Sequence, residues 1–329
     1  MKPKAIAVER DEAETFGLIL IPGFSMMSFA SFIEPLRQAN RVTGRSVYRW
    51  RFVSEDGNPV QSSAGARIEV DQGLAEPANF DAVFVCAGVG IQRFDDRRIV
   101  AWLQRLSTTR TRIGALSTAT FILARAGLLD DSKCTVHWES LSALREQFPA
   151  LRVTANLFEI DGGRITCAGA TACIDLMLHL IEERLGGDVV ASVSEQYNLS
   201  RVRARMDEQR MPEGFLQQFR HPRVVSAVTL MENTMDEPLS LDQLASRIEI
   251  SKRQLARLFD IHIGRSVIRH YRFLRLRRAQ QLLIQTTLSV RDVSTACGFQ
   301  SLSHFARDYR RQFGHAPLQE RRNRQQAMR

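Results

Sequence analysis

The sequence predicts two parts, an α/β body built on a doubly wound parallel sheet and then an all-α unit made of two helix-turn-helix repeats. Three observations carry this. Short apolar runs alternate with helix-periodic segments over residues 16–185, the pattern of a parallel sheet covered on both faces. One two-helix pattern then occurs twice, at an offset of 49 residues that becomes 50 after Gln300. Charge is also segregated. From His221 onward 19 Lys+Arg stand against 9 Asp+Glu, and the rest of the chain carries 26 against 27, so the net charge of +9 lies with the repeats. A chain of 329 residues is long enough for two such domains.

Taken in order, the first residues (MKPKAIAVERDEAET) are charged and lack the apolar stretch of a secretory signal. Residues 16–21 form a continuous apolar run stopped by Pro22-Gly23, which reads as a buried strand, and residues 26–40 follow with helical spacing. Residues 48–53 and 80–86 read as further strands, and 97–106 as a helix. Residues 112–116 read as a strand that turns directly into a helix over 118–126. A strand at 165–168 and a helix at 172–183 close the series, and Gly186-Gly187 marks a break. The expected domains are therefore 1–187 for the body, 188–221 for a charged helical linker and 222–329 for the repeats. Within the last, a helix over 224–235 precedes the first repeat. A long helix near 266–285 separates the two, with Tyr271, Leu274, Ala279, Leu282 and Leu283 on its buried face and its arginines outside.

The five cysteines show no CxxC spacing, and four sit in or beside apolar segments, where a thiol behaves as a small hydrophobe. No zinc site, other metal, disulfide framework or cofactor is expected. No run approaches the ~18 apolar residues of a membrane span, so the expectation is a cytoplasmic protein without a membrane partner.

In the repeat, Leu239-Ser240-Leu241-Asp242-Gln243-Leu244-Ala245 aligns with Leu288-Ser289-Val290-Arg291-Asp292-Val293-Ser294. Farther on, Ser251, Leu255, Ala256, Arg257, Phe259 and Gly264 meet Ser301, Phe305, Ala306, Arg307, Tyr309 and Gly314. Ser251 and Ser301 are natural N-caps. With Leu255, Leu258 and Phe259 inward, Arg253, Gln254, Ala256 and Arg257 are left for a DNA major groove. Phe305 and Tyr309 leave Leu302, Ser303, His304 and Arg307 in the second copy. Arg suits guanine and Gln suits adenine, whereas Ala and Leu reach only a thymine methyl. Lys252, Arg310 and Arg311 are read as phosphate contacts, which position without reading sequence.

The region resembles the AraC/XylS family of transcription regulators. The resemblance covers about residues 222–322 and is carried by LSVRDVSTACGFQSLSHFARDYRRQFGHAPLQER together with RLRRAQQLL. It implies two helix-turn-helix subdomains joined by a linker helix, each placing one helix in the major groove on one DNA face. The family's base-contacting positions fall on Arg253, Ala256, Arg257, Leu302, Ser303, His304 and Arg307, of which Ala256 and Leu302 cannot donate a hydrogen bond.

In the body, GALSTATFILARAGLLD has a strand, a tight turn at Ser117 and a helix, the shape of a nucleophile elbow. His137 lies 20 residues on, and Glu34 follows the first strand-turn. Together these could be nucleophile, base and acid of a serine hydrolase. They could equally be loops that any doubly wound sheet gathers at its carboxyl edge, where such folds bind ligands. His137 is read either as structural or as a ligand contact, and Glu34 either beside Ser117 or paired on its own helix. Trp138, if it faces the cleft, would receive a cationic ligand; Trp50 and Trp102 are expected in the core.

The body resembles the ThiJ/PfpI branch of the class I glutamine amidotransferase-like superfamily over residues 16–185, through LILIPGFSMMSFASFIEPLRQAN, VFVCAG, the elbow segment and VHWESL. That resemblance implies a flavodoxin-like sheet. Enzymes of the branch carry cysteine at the elbow, often followed by histidine; Ser117-Thr118 departs from this, and thiolate chemistry is absent. A body of this kind joined to an AraC-type module resembles the GlxA-like transcription regulators. The resemblance implies a non-enzymatic, sequence-specific regulator, read as an activator. Its body would sense a small nitrogenous metabolite, an amino acid or a quaternary amine such as arginine, carnitine or betaine. The pocket candidates are Glu34, Ser117, Thr118, His137 and Trp138. Partners would be promoter double-stranded DNA, a second copy in a homodimer and RNA polymerase. The alternatives are a serine hydrolase or amidase acting through Ser117, and a scaffold that only dimerises.

Overall fold

The computed structural model of the chain describes residues 13–320 apart from 78, 92–93, 95–96, 208, 210–220 and 287. It forms two compact units, Met1–Gln209 and Arg210–Arg329.

The first unit is built on strands β1 (Glu14–Leu20), β2 (Tyr48–Ser54), β3 (Val60–Gln61), β4 (Arg67–Ile68), β5 (Gln72–Gly73), β6 (Ala82–Cys86), β7 (Arg112–Leu116), β8 (Lys133–Cys134), β9 (Arg152–Val153), β10 (Phe158–Asp161) and β11 (Arg164–Cys167). Seven of them make one sheet in the order β10-β11-β7-β6-β1-β2-β5. The pairs are parallel except β10 with β11, and Leu18 of β1 lies between Phe52 and Phe84. This is the doubly wound, flavodoxin-like order the sequence predicts.

Alternation along the strands divides the core into two layers. Phe16, Leu18, Leu20, Phe84 and Cys86 point into the layer covered by helices α1 (Met26–Thr43), α5 (Ala172–Leu185) and α6 (Gly187–Gln196). Phe32 of α1 packs its ring 4.7 Å from Phe84. Gly114 makes room there, since a Cβ on it would come within 2.2 Å of the Phe84 ring. Ile19, Val83, Val85 and Ile113 point the other way and are fully buried, with α2 (Arg97–Ser107) and α3 (Thr120–Arg125) against β7. Helix α4 (Leu141–Gln147) completes the unit.

Two expectations are revised. Strand β10 was not foreseen, because Phe158 and Ile160 flank a glutamate in a segment too short to show a period. The linker expected over 188–221 does not begin at Gly187 either. Gly186 (φ 83°) only bends the chain, and α6 lays Val190 and Val193 into the body's core. Residues 197–209 then run back across the body, without helical structure over its described part.

The second unit is helical: α7 (Pro222–Asn233), α8 (Leu241–Arg247), α9 (Lys252–Ile263), α10 (Val267–Gln285), α11 (Val290–Ala296) and α12 (Leu302–Phe313). Serine caps begin four of them. The hydroxyls of Ser240, Ser251, Ser289 and Ser301 accept from the amides of Gln243, Gln254, Asp292 and His304, at the repeat's own spacing. Gly264 and Gly314 end α9 and α12 in the left-handed conformation. Val228, Met231, Leu244, Leu255, Phe259, Tyr271 and Leu274 form the first repeat's core, while Leu282, Leu283, Val293, Phe305 and Tyr309 are fully buried in the second. One arginine of α10 departs from expectation. Arg275 turns inward, donating from Nε to the Cys297 carbonyl at 2.7 Å with its guanidinium 4.2 Å from the Phe299 ring. Among the described residues no helix is long and apolar enough to cross a membrane, and no cluster of three or more His, Cys, Asp or Glu could hold a metal ion. All five cysteines are buried as free thiols.

Candidate nucleic-acid interface and effector site

In each repeat a tight turn sets the angle of the second helix. The two turns solve this differently. Glu249 takes the left-handed conformation (φ 57°) at the position where the second copy has Gly298 (φ 71°). A Cβ on Gly298 would lie 2.5 Å from the Met235 carbonyl oxygen and 2.7 Å from Pro238, so the second turn presses on backbone and has no room for a side chain.

Beyond the turns, Lys252, Arg253, Gln254, Ala256 and Arg257 on α9 are exposed. On α12, Ser303, His304, Arg307, Arg310 and Arg311 are exposed, and Leu302 is 42% exposed although large and apolar. Ser303, Ala306, Arg307, Arg310 and Arg311 line an open hollow of about 470 Å³. Three of these side chains are already engaged, Arg311 through NH2 at 3.4 Å from Asp308. Lys252 pairs with Asp242 at 2.6 Å, an exposed pair that competes weakly with a phosphate. Gln254 Oε1 accepts from the Ser251 amide at 3.0 Å. Bidentate pairing with adenine needs that acceptor, so Gln254 reads a base only by opening the helix cap.

In the body, the strand-turn-helix at residue 117 is an elbow in fact. Ser117 sits at φ 61°, a left-handed conformation costly for a residue with a Cβ, between β7 and a turn of 3₁₀ helix. It is buried at 6% exposure, and among the described residues no group hydrogen-bonds its hydroxyl. A second strained residue faces it: Ala170 has φ 49°, and a Cβ on neighbouring Gly169 would come within 2.5 Å of the Ser117 Cβ. The Ala170 amide donates to the buried Ser28 hydroxyl at 2.8 Å. Thr118 is committed elsewhere, donating to the Gly88 carbonyl at 2.5 Å.

His137 precedes a 3₁₀ turn, with its side chain 28% exposed and Nδ1 4.0 Å from Glu139. Burial holds its pKa below the usual histidine value, and Glu139 only partly offsets this. Its ring lies 5.7 Å from that of half-buried Trp138. Among the described residues no hydrogen bond joins His137 to Ser117. Glu34 is not at the elbow. It lies on α1 and holds Arg37 through its carboxylate at 2.7 Å, both side chains being nearly half exposed. Of the two expected core tryptophans, Trp102 is buried. Trp50 is half-buried and lines a hollow of about 600 Å³ with Thr15, Tyr48 and Phe80, toward the amino ends of the strands.

Sequence reasoning missed the segment that leaves the body. Arg203 grips Asp175 from Nε and NH2 at 3.0 and 2.6 Å and also reaches the Thr171 hydroxyl at 3.0 Å. Arg205 makes a two-pronged contact with Glu159, which is 1% exposed. The Gln209 amide donates to the Val136 and Asn156 carbonyls, both at 2.9 Å, and to the Thr135 hydroxyl at 2.8 Å. Thr171 follows strained Ala170, and Val136 precedes His137. The exit segment is thus anchored beside Ala170, whose neighbour Gly169 packs on Ser117, and beside His137. The only trace in sequence is Arg203 and Arg205 two apart in a charged stretch, which reads equally well as a solvated linker.

Residues 15–183 match the DJ-1/PfpI family, and residues 244–323 match a helix-turn-helix domain. The chain is 43% identical over 308 residues to the HTH-type transcriptional regulator GbdR of Pseudomonas aeruginosa, covering 94% of this chain and 84% of that one. It is 36% identical over 314 residues to the HTH-type transcriptional regulator GlxA of Rhizobium meliloti, covering 95% and 97%. Among solved structures, an AraC family transcriptional regulator from Pseudomonas putida superposes with a TM-score of 0.52 at 28% identity, over 56% of this chain and 99% of that one.

Proposed function

The chain belongs to the GlxA-like HTH-type transcriptional regulators, in which a DJ-1/PfpI body is joined to an AraC-type helix-turn-helix module. From that premise we propose that the elbow of the body is an effector site for a small nitrogenous metabolite. Its occupancy would set how α9 and α12 engage promoter DNA. The observation that carries the reading is the exit segment: the chain leaves the body through contacts with residues next to Ala170 and His137. A ligand that moves either loop changes the anchorage of the segment leading to the reading helices. A ligand shifts an equilibrium only through such a difference in affinity between two states.

The chemistry of the elbow supports an amine or amino acid. The Ser117 hydroxyl is available for a polar group, and the His137 and Trp138 rings offer faces to an alkylammonium, with Glu139 beside them. Arginine, carnitine and betaine are the proposed class. Hydrolysis is not part of this reading, because Ser117 has no hydrogen-bonded base among the described residues. The regulator would act in the cytoplasm as a homodimer on a repeated promoter site, and as an activator it would contact RNA polymerase. The proposed DNA contacts are Arg253, Arg257, Ser303, His304 and Arg307 at bases and Lys252, Arg310 and Arg311 at phosphates, with Leu302 against a thymine methyl.

The test is a thermal-shift screen of the full chain with arginine, carnitine, glycine betaine and related amines. A ligand at one hundred times its Kd stabilises by about 2.7 kcal/mol. One amine is expected to raise the melting temperature of the wild type and to fail with Ser117→Leu, which fills the elbow. A response unchanged by Ser117→Leu would place the effector elsewhere.

A further inference from the structure

We infer that Arg265, just ahead of α10, and Arg269 and Arg272, on its first half, form a binding site for the DNA phosphodiester backbone that continues the reading face of α12. The inference rests on the DNA-binding reading above and adds contacts outside both second helices of the repeats.

Arg269 and Arg272, spaced i and i+3, lie on one side of α10, and Arg265 stands just before its Ser266 N-cap; Val267, His270, Tyr271 and Leu274 take the buried side. Arg265 and Arg269 are exposed, and the Arg272 side chain is 42% exposed. All three line one groove of about 540 Å³ with Phe273, Asp308 and Arg311. Arg311 also lines the hollow formed by Ser303, Arg307 and Arg310, so the groove and the α12 reading surface share a wall.

Charge selects the occupant. Four guanidiniums meet one carboxylate in this groove, a local excess of three positive charges. The Asp308 side chain is 8% exposed and lies 3.5 Å from Arg272 Nε and 3.4 Å from Arg311 NH2. One buried carboxylate between two arginines orients both and neutralises neither fully. The Arg265 guanidinium is set over the Phe273 ring at 4.9 Å. Arg265, Arg272 and Arg311 are therefore held in place before any ligand arrives, which lowers the entropy cost of binding. Guanidinium forks match phosphate oxygens. Helix α10 follows α9 directly and leads to the second repeat, so its start falls between the two reading helices along the chain. DNA that spans two successive major-groove segments presents phosphates at its intervening backbone.

The experiment measures the affinity of the full chain for a random-sequence 40-base-pair duplex against salt, for wild type and for Arg265→Gln/Arg269→Gln/Arg272→Gln. Each lost phosphate contact lowers the slope of log K against log salt by about 0.9, so the triple variant should be shallower by roughly 2 to 3. A control removing three exposed arginines from the body, Arg45→Gln/Arg105→Gln/Arg110→Gln, should keep the wild-type slope. Should the triple variant melt early, Arg269→Gln alone is expected to lower the slope by about 0.9. A steep wild-type slope that the α10 variants retain overturns the inference and leaves the DNA-binding reading standing; that result would assign the groove to an acidic protein surface. A wild type with no salt-dependent DNA affinity overturns both.

Discussion

Removing Arg205 tests whether the exit segment is fastened to the body as described. Glu159 is 1% exposed and accepts from the Thr154 hydroxyl at 2.8 Å and the Asn156 amide at 2.7 Å, with Arg205 supplying the only formal positive charge among these partners. Breaking a buried ion pair from one side costs about 3–5 kcal/mol, because the other charge is stranded. Two neutral donors remain to Glu159 and the Arg205 side chain is 37% exposed, so Arg205→Ala is expected near the lower end, about 3 kcal/mol. For a unit of this size that corresponds to a fall in Tm of roughly 6–12 °C. Adding Glu159→Gln removes the stranded charge, and the double variant should recover about 2 kcal/mol relative to Arg205→Ala. Urea unfolding followed by tryptophan fluorescence isolates the effect, since Trp50, Trp102 and Trp138 all lie in the body. A double variant no more stable than Arg205→Ala would refute the reasoning, as would a loss under ~0.5 kcal/mol for Arg205→Ala itself.

Three further outcomes follow from the second unit. Gly298→Ala should cost about 3 kcal/mol, combining left-handed strain with overpacking against the Met235 carbonyl, whereas Glu249→Gly should stabilise by about 0.5 kcal/mol by relieving strain; far-UV circular dichroism during urea unfolding compares them. Burial, aided by the charge of Arg265, lowers the His270 pKa to about 4. The unfolded chain therefore binds this proton near pH 6.5 and the folded one near pH 4. Stability from this group is complete above pH 6.5 and declines by about 3 kcal/mol as the pH falls to 4, and His270→Leu should flatten that part of the stability profile. Arg307→Ala should cost about 1–3 kcal/mol at the preferred sequence and relax selectivity there, checked by binding to a panel of single-base variants.

Most of the fold was legible because its signals are local and repeated. Strands β1 and β6 are built on uninterrupted apolar runs, and the serine caps and terminal glycines recur at matching positions in both repeats. The elbow was legible too, since β7 passes into its turn over a few residues. What could not be read depends on long-range contacts. Glu34 follows the first strand-turn at a plausible spacing, but its helix carries it outward to Arg37. Ser28, Gly169 and Ala170 meet only when α1 and the end of β11 are side by side. Arg203 and Arg205 look like solvated linker charges until Asp175 and Glu159 are seen buried beneath them. Gln254 looked like a base reader because sequence cannot tell an outward glutamine from one turned back on its own cap.

The proposed effector site requires occupancy of the elbow to be linked to DNA affinity. The most direct measurement takes the amine that raises the melting temperature and titrates the full chain with DNA from upstream of its own gene, with and without that amine at saturation. A change in Kd of about 5- to 150-fold is expected, matched by an equal change in amine affinity when DNA is bound, because coupling between two sites is reciprocal. Ser117→Leu is expected to keep DNA binding and lose the change, which is the signature of the proposed coupling. A DNA affinity that stays the same at saturating amine would contradict it.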